Sequence, residues 1–213
     1  MQQDKETYFK IIQAGKEILN KKDYHETVVE EIAQLAGVAK GTVFFYFKTK
    51  EGLFKEILLS LLNELEEEIN KILDDVKLQA LQKLKKVYDT YIDFQIKNMN
   101  LFIAIRKELA KEETVSKIEE IKDKLQKLSQ KLLPIIEEMF KKGLIKKFDP
   151  SVELIEVTPS MLLAYASAVS SMVFFYKDKI EKLKEIFWQI LLHGILNEDV
   201  SINMLIFNNE NNL

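Results

Sequence analysis

Residues 27–47 read Thr27-Val28-Val29-Glu30-Glu31-Ile32-Ala33-Gln34-Leu35-Ala36-Gly37-Val38-Ala39-Lys40-Gly41-Thr42-Val43-Phe44-Phe45-Tyr46-Phe47. Thr27 followed three residues later by Glu30 is the pattern of a capping box: the hydroxyl caps a helix start and the carboxylate reaches back to the threonine amide. A short helix is expected from Val28 to about Leu35. Ala36 and Gly37 close it, because glycine accepts the left-handed conformation that a sharp turn requires. A second helix is expected from Ala39 to about Tyr46. Helix, glycine turn, helix is the helix-turn-helix arrangement, whose second member lies in the DNA major groove.

Upstream, Phe9, Ile12, Ile18 and Leu19 recur at helical spacing and predict a first helix from Tyr8 to Asn20, with Ala14 and Gly15 small enough for close packing. Downstream stands Lys50-Glu51-Gly52-Leu53. Taken together with Ile11-Ile12-Gln13-Ala14-Gly15, the stretch from Tyr8 to Phe54 resembles the N-terminal domain of the TetR family of regulators, over about a quarter of the chain. It departs from the family pattern at Asp23, where glycine is usual, and at Phe44, where a frequent tyrosine has lost the hydroxyl that bonds a phosphate. The resemblance implies an all-α fold. An N-terminal three-helix helix-turn-helix DNA-binding domain (residues 1–50) would be joined by a long helix to a C-terminal helical ligand-binding and dimerisation core (51–213). It also implies a homodimeric repressor released from operator DNA by a small-molecule effector.

Within the groove-entering helix, Ala39, Lys40, Gly41, Thr42, Phe45 and Tyr46 are expected to face DNA. Val38, at the turn, belongs to the same DNA-binding stretch, although its side chain should pack inward with Val43, Phe44 and Phe47. No arginine is present here, so Lys40 is the long cationic donor for base edges, while Ala39, Thr42 and Phe45 can pack on thymine methyls. Thr27, Lys48 and Lys50 flank the helix and are expected at phosphates, Lys50 on the family's recurrent lysine. The stretch from Gly37 to Lys50 holds three lysines and no acid, a local positive patch in a chain of net charge −3. That net charge argues against indiscriminate coating of nucleic acid.

Beyond Lys50, periodicity predicts a long helix towards Asp75 bearing Leu53, Ile57, Leu61, Leu65, Ile69 and Ile72, then helices Leu78–Lys97 and Leu101–Ala110. One helix from Val115 through Met139 is expected to kink at Pro134 and end at Gly143. Asp149-Pro150 and Thr158-Pro159 each pair a capping residue with proline and are read as helix starts. Helices Met161–Tyr176 and Ile180–Leu196 follow, and Ile202 to Phe207 is a segment that can dock on the body. Tyr88, Tyr91, Phe94, Phe102, Met139, Phe140, Tyr165 and Met172 are candidates for lining a cavity suited to a largely apolar effector. Arg106, the one arginine among 31 basic residues, is either an anion binder at that pocket or a surface partner of Glu108 or Glu112. Ala164, Ala168, Ser171, Phe187, Ile190 and Leu191 are expected at a four-helix dimer interface.

Composition narrows the alternatives. Hydrophobic residues at 47% and charged residues at 31%, with 6 glycines and 3 prolines, describe a globular chain of long helices. The lysine-over-arginine skew fits an A+T-rich coding bias or a high-temperature lifestyle. Cysteine is absent and histidine occurs at His25 and His193 alone, so thiolate chemistry, disulfides and most zinc sites are excluded; no metal and no cofactor is expected. No nucleophile, histidine and acid stand in a recognisable arrangement and no glycine-rich phosphate loop is present, so an enzyme is not expected. Neither an export signal nor an apolar run of about 18 residues is seen, so no membrane association is expected and a cytoplasmic location is. The competing readings are a non-inducible architectural DNA-binding protein of the same fold, and an enzyme or helical partner-binding module with an incidental helix-turn-helix.

Overall fold

The structure is a computed structural model that describes residues 2–109, 115–146 and 154–196; the side chains of 2–3, 104–106, 108–109, 115–118, 154–157 and 174 lie outside that description. Its regular elements are helices: α1 Gln2–Leu19, α2 Val29–Ala36, α3 Lys40–Phe47, α4 Lys50–Leu73, α5 Ala80–Lys97, α6 Met99–Leu109, α7 Val115–Gln130, α8 Leu133–Lys141, α9 Leu154–Ser171, α10 Val173–Tyr176 and α11 Ile180–Ile195, with a 3₁₀ turn Lys177–Lys179 before α11. Two compact units are built from these, one within residues 1–65 and 97–125, the other within 66–96 and 126–213. Asp149-Pro150 and Ile202 to Phe207 lie outside the described residues.

In the first unit, Leu53, Ile57, Leu58, Leu61, Leu62 and Leu65 of α4 are at most 1% exposed. Leu53, Ile57, Leu61 and Leu65 follow the apolar period read from the sequence, and Leu58 and Leu62 widen that stripe, since one face of a 3.6-residue helix turns to the core. Ile11 and Ile12 of α1 and Ile32 and Ala33 of α2 close this core. Gly15 is the point of closest approach, where an added Cβ would stand 2.2 Å from the Ile57 Cδ1 methyl. In the second unit, Leu81, Leu84 and Val87 of α5, Leu132 just before α8 and Ile136 within it, Leu162, Ala166 and Val169 of α9, and Trp188 and Leu192 of α11 are buried.

Four expectations are corrected. The capping box at Thr27 does not form: the Thr27 hydroxyl donates to the Asp23 carbonyl at 3.0 Å, and α2 begins from Val28 (φ −108°, ψ 141°) with no side-chain cap. A hydroxyl bonded back into the preceding turn makes no cap bond to the first amides of α2. Pro134 opens α8 instead of kinking one long helix, because proline in the first turn gives up an amide that would be unpaired anyway. Thr158-Pro159 is not a helix start; α9 begins at Leu154 and carries Pro159 in its second turn, near the end where a missing bond is least disruptive. The helix expected over Met161–Tyr176 is broken at Met172 into α9 and α10. Gly143 does end α8, at φ 68°, with Leu144 N–H bonded to the Met139 carbonyl and Gly143 N–H to that of Phe140, both at 2.9 Å.

Candidate functional site

The turn between α2 and α3 is fixed by Gly37 at φ 69°. Val38 N–H reaches back to the Ala33 carbonyl at 3.0 Å and Gly37 N–H to that of Gln34 at 3.1 Å. This paired closure requires the left-handed glycine and sets the angle at which α3 leaves α2. Val43 and Phe47 of α3 are buried, Thr42, Phe44 and Tyr46 half-buried, and Ala39, Lys40, Gly41, Phe45 and Lys48 exposed. Phe45, at 69% exposure, is the largest apolar group on that outer face, and Val38 is half-buried. Ala39 begins α3 without a side-chain cap, and Thr42 N–H closes the first turn on the Ala39 carbonyl at 2.9 Å.

Each lysine of this face has a defined place. Lys40 pairs with Glu30 of α2, and this partner holds the Glu30 carboxyl below its ordinary range. Lys48 Nζ donates to the Phe45 carbonyl at 2.9 Å and lies 5.4 Å from the Phe45 ring centre. Its backbone takes φ 64°, ψ −49°, and Thr49 N–H bonds the Phe47 carbonyl across it at 2.7 Å, a strained γ-turn linking α3 to α4. Lys50 Nζ stands 4.4 Å above the Tyr24 ring, a cation–π contact that orders the ammonium. Thr27 is 2% exposed, with its hydroxyl committed inward as described.

Three supporting residues have roles that the sequence reading did not assign. Thr49 caps α4, its Oγ1 accepting Gly52 N–H at 3.0 Å; a threonine one residue before Lys50-Glu51 is the legible signal for it. Gly52 itself allows the close crossing of the α3 end, since a Cβ there would be 2.3 Å from the Phe47 carbonyl oxygen. Tyr8 of α1 packs on Phe47 with ring centres 5.1 Å apart and donates to Glu56 at 2.7 Å. Burial, then the Glu56 contact, raises its phenol well above the ordinary value.

In the second unit Tyr88, Tyr91, Phe94 and Met139 are buried, Tyr165 and Met172 half-buried, and Phe140 lies at the surface with 36% exposure. Phe102 is buried in the first unit; the Arg106 side chain lies outside the described residues. Of the candidate lining residues, Tyr88 borders a small cavity of about 10 Å³ with Leu84, Leu132, Leu163, Ala166 and Trp188 among its walls. Beside it Gln95 Nε2 donates to Ser167 Oγ at 2.7 Å, Ser170 Oγ donates to Gln95 Oε1 at 2.8 Å, and the Tyr91 and Ser167 hydroxyls are 3.3 Å apart. This polar bridge ties α5 to α9. Ala164, Ala168 and Ile190 are exposed and Ser171, Phe187 and Leu191 half-buried, while the exposed Met161 and Ile186 extend the apolar faces of α9 and α11. Among the described residues no group of acids and histidines is placed to hold a metal ion, and no helix is long and apolar enough to cross a membrane.

A sequence profile for "Bacterial regulatory proteins, tetR family" matches residues 11–57, the helices and turn just described. The fatty acid metabolism regulator protein of Bacillus subtilis (strain 168) is 30% identical over 148 residues, 68% of this chain and 71% of that protein. The chain belongs to the TetR family of bacterial regulatory proteins. It is a ligand-responsive DNA-binding transcriptional regulator. The HTH-type transcriptional regulator QacR of Staphylococcus aureus (strain Mu50 / ATCC 700699) is 45% identical over 49 residues, 23% of this chain and 26% of QacR. Among solved structures, the regulator FadR from Bacillus subtilis in complex with stearoyl-CoA matches with a TM-score of 0.69 and 25% identity, covering 88% of this chain and 99% of that one. These TetR-family relatives are transcriptional regulators.

Proposed function

We propose that this TetR-family chain is a homodimeric repressor, acting in the cytoplasm on operator DNA and released from it by a long-chain acyl thioester, with no catalytic step of its own. One observation carries the DNA-binding part: α3 presents Lys40, Gly41 and the 69% exposed Phe45 on one outer face, held by the Gly37 turn. In this reading Ala39, Lys40, Gly41, Thr42, Phe45 and Tyr46 meet base edges and groove walls, with Val38 supporting the turn. Lys48 and Lys50 meet phosphates, and Thr27 braces the turn before α2 from inside. The outer faces of α9 and α11, through Ala164, Ala168, Ser171, Phe187, Ile190 and Leu191, pair across a two-fold axis.

The effector class is supported by the likeness to FadR, whose solved complex holds stearoyl-CoA, and by the apolar walls of the second unit. Tyr88, Tyr91, Phe94, Met139, Tyr165 and Met172 line or back the acyl site, Phe102 and Arg106 belong to the part of the chain that responds to it, and Phe140 marks its outer edge. A ligand shifts operator affinity only by as much as it prefers the released conformation. The test is fluorescence anisotropy on an operator obtained by selection from random duplexes. Stearoyl-CoA at micromolar concentration should displace the full-length chain, and acetyl-CoA should not. Operator binding that no acyl-CoA alters overturns the acyl effector; absence of any selected sequence overturns the repressor reading and favours an architectural protein.

A further inference from the structure

Trp188 is the chain's single tryptophan. It is 0% exposed on α11, and its indole Nε1 is buried with no acceptor. Among the described residues it is the one buried side-chain donor left so. Its neighbours do not share the fault: the Tyr88 hydroxyl donates to the Lys184 carbonyl, Tyr165 to that of Phe187, and Lys184 to Asp93. A buried donor without an acceptor bears its full desolvation cost, so its persistence calls for a missing partner. Trp188 also borders the cavity of about 10 Å³ whose other walls, Leu84, Leu132, Leu163 and Ala166 among them, are apolar. That volume admits about one water molecule, and apolar walls give a water too few partners to hold it.

We propose that the Trp188 indole N–H anchors the effector in this cavity by donating to a neutral carbonyl oxygen on an otherwise apolar ligand. The proposal rests on the acyl-effector reading above and narrows it. Indole nitrogen donates only, so the ligand must accept. A carboxylate is disfavoured there. Around the same α5 and α11 edge stand Asp89, Asp93, Glu181 and Glu185 against Lys85 and Lys184, and Lys85, 5.6 Å from the Trp188 ring, is already paired with Asp89 and Glu185. An uncompensated anion in such a place is costly, whereas a thioester carbonyl is neutral and its phosphates lie at the far end of the pantetheine arm. An acyl chain needs far more room than this cavity gives. The break at Met172, the four residues of α10 and the 3₁₀ turn 177–179 make a jointed corner between α9 and α11, and the proposed anchoring requires α11 to shift about that corner.

Isothermal titration of the full-length chain with stearoyl-CoA and with its thioether analogue S-octadecyl-CoA, whose carbonyl is replaced by methylene, tests this. The wild-type chain should bind the thioester about tenfold more tightly than the thioether, and free stearate should bind more weakly than the thioester. Trp188→Phe should bind both CoA derivatives alike, at the thioether's affinity. Should that variant fail to fold, the wild-type comparison of the two ligands decides alone, followed by the emission of Trp188 as each is added. Equal affinities for thioester and thioether, or a preference that survives Trp188→Phe, overturn the anchor and leave the acyl effector standing. Binding of neither CoA derivative to the wild-type chain overturns both.

Discussion

A Cβ on Gly52 would meet the Phe47 carbonyl oxygen at 2.3 Å, a contact with backbone that no rotamer change can relieve. Gly52→Ala must therefore push the end of α3 away from α4, at a cost of roughly 1–3 kcal/mol, and operator affinity should fall with it. Gly41 is the opposite case, with nothing within 4 Å of an added Cβ. Gly41→Ala should raise thermal stability by about 0.5–1 kcal/mol, since alanine loses less backbone entropy in a helix, yet weaken operator binding because the methyl enters the groove. Unchanged affinity in both variants would remove α3 from the interface. The two lysines separate by what they touch. Lys50→Ala should lower the log–log salt slope by about 0.9 per protomer without changing sequence preference, while Lys40→Ala should relax discrimination at one operator position by about 1–3 kcal/mol. Competitive anisotropy at several salt concentrations measures both.

At the scale of elements, the ion-paired seam between α5 and α11 makes a pH prediction. Burial works against the Lys184 ammonium, but its bonds to Asp93 and Glu181 outweigh that and leave its ionisation above the ordinary 10.5. A raised basic group stabilises the fold fully below its unfolded value and loses that contribution as pH rises beyond it. The melting temperature should thus fall above about pH 10.5 more steeply in the wild-type chain than in Lys184→Met; parallel curves would show that the seam carries no such contribution. At neutral pH, where that contribution is fully present, the substitution should lower the melting temperature modestly, because the exposed Asp93 and Glu181 carboxylates are screened by water. The period of the apolar residues in α4 and the Gly37 turn were legible in the sequence, since both depend on local chemistry. Misreadings arose where one residue type fits two local roles: Pro134 can kink a helix or open one, and Thr27 can cap forwards or bond backwards. The cavity around Leu84 and Leu163, and the stranded Trp188 N–H, depend on how side chains from separate helices meet, which spacing along the chain does not encode.

At the scale of the whole molecule, one protomer leaves apolar surface uncovered. Ile190 is 54% exposed, Met161 60% and Ile186 43%, with Ala164 and Ala168 exposed on the same helices; small residues beside large apolar ones suit close helix packing across a two-fold axis. A charge at Ile190 should strand itself in that interface while leaving the protomer's own core, built on Trp188 and Leu192, untouched. Light scattering at micromolar concentration should therefore find a folded monomer for Ile190→Asp and a dimer for the wild-type chain. The consequence for DNA follows from geometry and charge together. Two recognition helices held about 34–36 Å apart enter successive major grooves, and in the proposed complex each would bring its own Lys48 and Lys50 to the phosphates. A monomer keeps one such set, so its salt slope should be about half that of the dimer, and its preference for an inverted repeat over a single half-site should vanish. A monomeric variant that still binds the full operator with the wild-type salt slope would show that α9 and α11 do not set the spacing of the heads.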